Sequence, residues 1–158
     1  MTSALKKIIT FAILIGGLSL TGCGGAKATT DTPQPVQNVQ TAQRLKITVG
    51  DKILFATLED NATTQDFIKK LPTTLKMENL YEREMCYRYG AGGLAESATR
   101  DDRYEVGDII YWKPRGSFVI LYKQNGEEFE RVQLGHIDSD VEFFESLGTT
   151  EIKFELEN

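Results

Sequence analysis

Few side chains in this 158-residue chain combine a reactive type with a useful spacing. Its single histidine, His136, could act as a general base or a ligand. Only Asp138 stands near it, and one histidine cannot build a typical metal site, so no metal is expected. His136 is read as a structural residue or as one wall of a ligand groove. Ser97 and Ser117 carry no motif of a nucleophile elbow. Gly90-Ala91-Gly92-Gly93 is followed by neither Lys-Ser/Thr nor a helix start, so it is not a phosphate cradle and no cofactor is implied. Asp101-Asp102 beside Arg100 and Arg103 reads as a solvated loop. Tyr81, Tyr87, Tyr89, Tyr111 and Trp112 could line a groove, although aromatic residues on strands more often fill a core.

The two cysteines, Cys23 and Cys86, differ in context. Lys6 and Lys7 precede an apolar stretch over residues 8–20, too short for a spanning helix and suited to a signal sequence. Leu20-Thr21-Gly22-Cys23 then follows. Small residues before the cysteine let the chain lie extended in a peptidase cleft, and the thiol can take a diacylglyceryl group as a thioether. This arrangement resembles that of bacterial lipoproteins. It implies a signal peptide over 1–22, cleavage before Cys23 and acylation of the new amino group, for example by palmitate. Two or three acyl chains on one residue suffice for stable anchoring. The place of action would be the cell envelope. Residue 24 is Gly rather than Asp, which implies the outer membrane where there are two membranes and otherwise the outer face of the cell membrane.

Residues 23–43 carry almost no large apolar side chains and should form a tether. Residues 44–158 remain as one domain, long enough for a core. Without Lys6 and Lys7, 16 basic residues face 23 acidic ones, a net charge of -7. Nucleic-acid binding needs clustered Lys and Arg, so an acidic domain argues against it. With Cys23 lipidated, Cys86 has no partner in the chain and reads as a buried, inert thiol.

The elements that must position these residues are mostly strands. Leu45, Ile47 and Val49, then Gly50-Asp51, then Ile53, Phe55 and Thr57 read as a hairpin. Thr63-Thr64-Gln65-Asp66 reads as a capping box ahead of Phe67, Ile68 and Leu71. Leu75 and Met77 open a strand. Tyr81, Arg83, Met85, Tyr87 and Tyr89 then share one face of a long strand, with Glu82, Glu84, Cys86 and Arg88 on the other. Residues 90–104 form a loop of a length that is usually functional or disordered. Residues 109–113 and 118–123 are apolar on both faces around the turn Pro114-Arg115-Gly116, a pattern of burial on two sides, as when helices cover a closed sheet. Phe129, Val132, Leu134 and Ile137 supply a further strand. Ser139-Asp140-Val141-Glu142 opens a second helix, closed by Gly148. Ile152, Phe154 and Leu156 make a last strand paired with the first. The fold class is mainly β: a closed barrel of about eight strands with two short helices at its openings.

Gly107-Asp108-Ile109-Ile110-Tyr111-Trp112-Lys113-Pro114, Phe118-Val119-Ile120-Leu121-Tyr122 and Leu134-Gly135-His136-Ile137 resemble blocks of the bacterial cyclophilin-like domain family, over about residues 44–157. The resemblance implies the same barrel. Cyclophilins proper are prolyl isomerases that use an arginine beside aromatic and glutamine side chains in a surface groove. Phe118 matches one groove phenylalanine, and Arg83 and Arg88 are candidates for the arginine, but the glutamine of that block is missing and neither arginine has the family's neighbours. The groove candidates are thus Tyr87, Tyr89, Phe118 and His136. The resulting expectation is a membrane-anchored module that binds a peptide, protein or small ligand in a groove beside the 90–104 loop. The alternative is a prolyl isomerase for exported proteins.

Overall fold

The computed structural model describes residues 42–157; Cys23, the signal segment and all of the tether but its last two residues lie outside them. Eight strands follow in chain order: β1 (Arg44–Val49), β2 (Lys52–Leu58), β3 (Thr73–Leu80), β4 (Glu84–Arg88), β5 (Asp108–Trp112), β6 (Ser117–Leu121), β7 (Val132–Ile137) and β8 (Thr150–Leu156). The one α-helix among the described residues, α1 (Ala62–Ile68), follows β2. The strands close in the order β1-β2-β7-β5-β6-β4-β3-β8, every neighbour antiparallel and β8 paired back to β1. Closure leaves no strand edge for a second chain to pair with.

Leu45, Ile47 and Val49 point inward, as their alternation predicts. In β2 the inward set is Leu54, Ala56 and Leu58, not Ile53, Phe55 and Thr57. The two-residue turn decides this. With only Gly50 and Asp51 between the strands, Ile47 faces Leu54 and Leu45 faces Ala56, and cross-strand partners share a face. Ile53 is left exposed. Gly50 makes the reversal at φ +56°, a left-handed conformation that glycine adopts without a Cβ penalty.

The expected long strand through residue 89 is two strands. The chain reverses at Tyr81 and Glu82, both at positive φ (56° and 53°), so β3 and β4 form a hairpin and Arg83 lies in its turn. Neither residue is a turn former, so period-two alternation runs through the bend undetected.

α1 closes one mouth of the barrel. Its N-cap is Asn61, whose Oδ1 accepts from the Thr64 N–H at 3.0 Å. The box expected at Thr63 and Asp66 is not made, because both side chains hold the 90–104 loop instead. Thr63 Oγ1 donates to the Ala95 carbonyl at 2.7 Å, and Asp66 Oδ2 accepts from the Ala95 N–H at 3.1 Å. Ser97 Oγ takes the Thr63 N–H at 2.9 Å, which gives that serine a capping role. The helix inserts Phe67, fully buried, onto Phe118 (stacked, 4.6 Å between centroids) and edge-on to Phe154. Burying such a ring contributes about 1.5–3 kcal/mol.

The second expected helix is a 3-10 turn, Glu142–Ser146, with Asp140 Oδ1 accepting from the Glu142 N–H. It ends at Leu147 rather than at Gly148, and Asn79 Nδ2 holds the carbonyls of Phe144 and Leu147.

The two-sided apolar pattern of β5 and β6 is explained without helices outside the barrel. Cys86, Ile110, Val119 and Leu121 form a second, outer cluster with Tyr104 from the 90–104 loop, flanked by Trp112 and Phe129. Loop residues therefore cover that face. Arg131, fully buried, anchors the loop by donating to the Asp102 carbonyl at 2.6 Å, while Arg100 and Arg131 exchange backbone hydrogen bonds.

Candidate functional site

A groove of about 220 Å³ runs over this outer cluster, across β4, β6 and β5. Its floor is Cys86, Ile110, Ser117 and Val119, all buried. Tyr81, Trp112 and Phe129 make its aromatic walls, and Arg83, Glu84, Arg88 and Arg115 supply its charge. Alternation in β4 puts Glu84, Cys86 and Arg88 on this outer side, while Met85 and Tyr87 turn inward.

Arg83 lies with its guanidinium 5.8 Å from the Tyr81 ring centre and 5.9 Å from that of Phe129. It is paired with Glu127 and sits 3.3 Å from Glu84, although its Nε has no partner in hydrogen-bond geometry. Arg88 pairs with Glu78 at 3.2 Å. Burial pushes the Glu84 carboxyl above its ordinary value, and the neighbouring guanidinium of Arg83 opposes this. Burial also pushes the Cys86 thiol up, against a hydrogen bond to Ser117, so the thiol is not a ready nucleophile.

The residues singled out from the sequence separate into three places. Arg83 and Arg88 line the groove. Phe118 does not: it is fully buried inside the barrel, edge-on to Phe154 at 5.3 Å, which corrects its reading as a groove residue. Its strand neighbours Ser117 and Val119 take the outward side, so parity alone turns Phe118 inward. Tyr87 and Tyr89 are also absent from the groove lining. They pack edge-to-face at 4.9 Å against the interior core. The Tyr89 hydroxyl is buried without a partner, and burial pushes it up to about 12.

His136 lines a separate cleft of about 350 Å³, to which the 90–104 loop contributes Arg100, Asp102 and Arg103. The loop thus borders this second cleft and contributes no residue to the groove of Arg83 and Arg88. The carboxylate beside His136 is Asp108, with Oδ1 3.0 Å from Nδ1, not Asp138, whose carboxylate pairs with Arg44. A separation of 28 residues leaves no mark in sequence spacing; the contact exists because β5 and β7 are neighbours and Asp108 faces His136 across them. Sequence reading also missed Glu84, Arg115 and Phe129, whose only signals were a strand position, a turn position and an isolated aromatic.

No curated protein matches the chain. The solution structure of a hypothetical protein from Archaeoglobus fulgidus superposes with a TM-score of 0.57 at 16% identity, covering 73% of this chain and 95% of that one, a likeness of fold alone. A model of the Cyclophilin-like family matches residues 47–157, so with its closed eight-stranded barrel the chain belongs to the Cyclophilin-like family.

Proposed function

We propose that this chain is a lipid-anchored envelope module whose barrel binds an extended peptide or partner segment in the outer groove, without chemistry. The observation that carries the binding reading is an arginine-bearing aromatic wall over a sealed apolar floor, Tyr81, Arg83, Trp112 and Phe129 above Cys86, Ile110 and Val119. Such a surface gives a peptide ring apolar contact, and Arg115 in the same lining gives its carbonyls a donor. The groove lining contains no histidine, and its one cysteine has a raised pKa, so no base-activated nucleophile is assembled there. The anchoring half rests on the residues around Cys23, and labelled palmitate should enter the parent chain and not Cys23→Ser.

Trp112, the only tryptophan, stands in the groove wall and reports occupancy directly. Extended proline-containing peptides should shift its emission saturably. Tyr81→Ala and Arg115→Ala should weaken binding without unfolding the domain. A Trp112 signal indifferent to every peptide would sink the reading.

A second reading, a prolyl isomerase, is favoured by one observation: Arg83 lies between two aromatic rings in an open groove. Against it, the guanidinium is already engaged by Glu127 and Glu84. Acceleration of isomerisation in a proline peptide, lost in Arg83→Ala or Arg88→Ala, would establish it. A rate equal to the uncatalysed one would remove it.

A further inference from the structure

We propose that the cleft beside His136 is a second binding site, independent of the groove, for a small neutral polyhydroxylated molecule of about the size of one sugar ring. At about 350 Å³ it falls in the range of small-molecule sites.

Three features of its lining carry the proposal. The first is a fixed imidazole. Asp108 is buried, its Oδ2 accepts from the Glu105 N–H at 2.9 Å, and its Oδ1 faces His136 Nδ1 at 3.0 Å. A carboxylate can only accept, so Nδ1 carries a proton, and in the neutral ring Nε2 is the acceptor offered to a ligand. The backbone holds the ring from behind: a Cβ on Gly107, at φ +103°, would stand 3.0 Å from His136 Cε1. The His136 side chain is 40% exposed.

The second is unspent hydrogen-bonding capacity. Four buried side-chain atoms among the described residues have no partner, and two of them, Arg131 Nε and Gln133 Oε1, belong to this lining. One is a donor and the other an acceptor. Leaving a buried polar atom unpaired costs about 1–3 kcal/mol, a cost that a hydroxyl reaching either atom would offset.

The third is the balance of charge, which selects the ligand. Arg100, Arg103 and Arg131 meet Glu59, Asp102, Glu105 and Asp108 around one cleft. Arg100 pairs with Glu59 at 3.0 Å and Arg131 with Asp102 at 3.2 Å, so the charges alternate rather than segregate. An anion would meet four carboxylates and a cation three guanidiniums. A hydroxyl both donates and accepts, so vicinal hydroxyls can bridge neighbouring guanidinium and carboxylate groups without adding charge.

The chain has one histidine and one tryptophan, which separates the two sites in a single experiment. The full chain is purified in detergent with 13C-labelled imidazole and titrated with glucose and with N-acetylglucosamine, using acetate and ethylammonium as charged controls. At least one sugar should move the His136 Cε1–H resonance saturably with a Kd of about 1 mM or tighter and leave the Trp112 indole resonance in place. Arg103→Ala and Gln133→Leu should each weaken that sugar about tenfold, the effect of one lost hydrogen bond. The proposal is overturned if neither sugar moves His136 in the tens of millimolar, if acetate or ethylammonium binds more tightly than both, or if both variants bind like the parent. None of these results bears on peptide binding at Trp112, so the two sites fail or stand separately.

Discussion

Phe118→Ala separates a core phenylalanine from a groove phenylalanine. The ring is fully buried, stacked on Phe67 at 4.6 Å and edge-on to Phe154 at 5.3 Å. Truncating a buried Phe to Ala costs about 3–5 kcal/mol. The substitution also removes both ring–ring interactions, each of about 0.5–1.5 kcal/mol, which places this site at the upper end. The expected loss is about 5 kcal/mol, against a total of about 5–15 kcal/mol for a domain. With a urea slope of about 2 kcal/mol per molar, the midpoint should fall by about 2.5 M. The assay is urea unfolding followed by tryptophan emission and by circular dichroism, which should give coincident transitions. If the variant is too unstable to purify, Phe118→Leu keeps most of the volume and should show a smaller drop of the same sign. Under conditions where the variants are folded, peptide titration of Trp112 should be unchanged. A midpoint shift corresponding to less than about 1 kcal/mol, together with lost peptide binding, would refute the inward placement.

Three further outcomes follow from buried groups. Arg131→Leu removes the guanidinium that anchors the 90–104 loop and faces Asp108 at 3.9 Å, and should cost about 3 kcal/mol and speed proteolytic cleavage within residues 90–104; unchanged cleavage would contradict the anchoring role. Glu84 has its folded-state pKa raised by burial, so the folded protein holds the proton more tightly than the unfolded chain and stability falls as pH rises from the ordinary glutamate value through the raised one. Glu84→Gln should lack that decline, and its urea midpoint relative to the parent should therefore increase from about pH 4 to neutrality; a constant difference would overturn the assignment. The Cys86 thiol, buried and with its pKa raised, should resist maleimide in the folded domain and react on unfolding, as read by mass spectrometry; rapid native labelling would reopen a redox role.

The sequence by itself determined the fold class, because local signals agreed with the long-range pairing they needed. Alternating β1, the Gly50-Asp51 turn, the two-sided strands β5 and β6 and the terminal strand paired with the first all lie where the pattern placed them. It did not determine parity or bends. Ile53 and Leu54 are equally apolar, and only register against β1 sends Leu54 inside. Tyr81 and Glu82 turn the chain with no turn residue to announce it. The sites were less legible still. Arg83 and Arg88 could be named as polar residues among aromatics, but their neighbours Trp112, Arg115 and Phe129 come from other segments. The pairing of His136 with Asp108 depends on β5 lying beside β7, a choice made by barrel closure and recorded in neither residue's neighbours along the chain. A period-two pattern specifies that a residue lies on a strand; which face is inside, and what meets it there, is decided when the sheet closes.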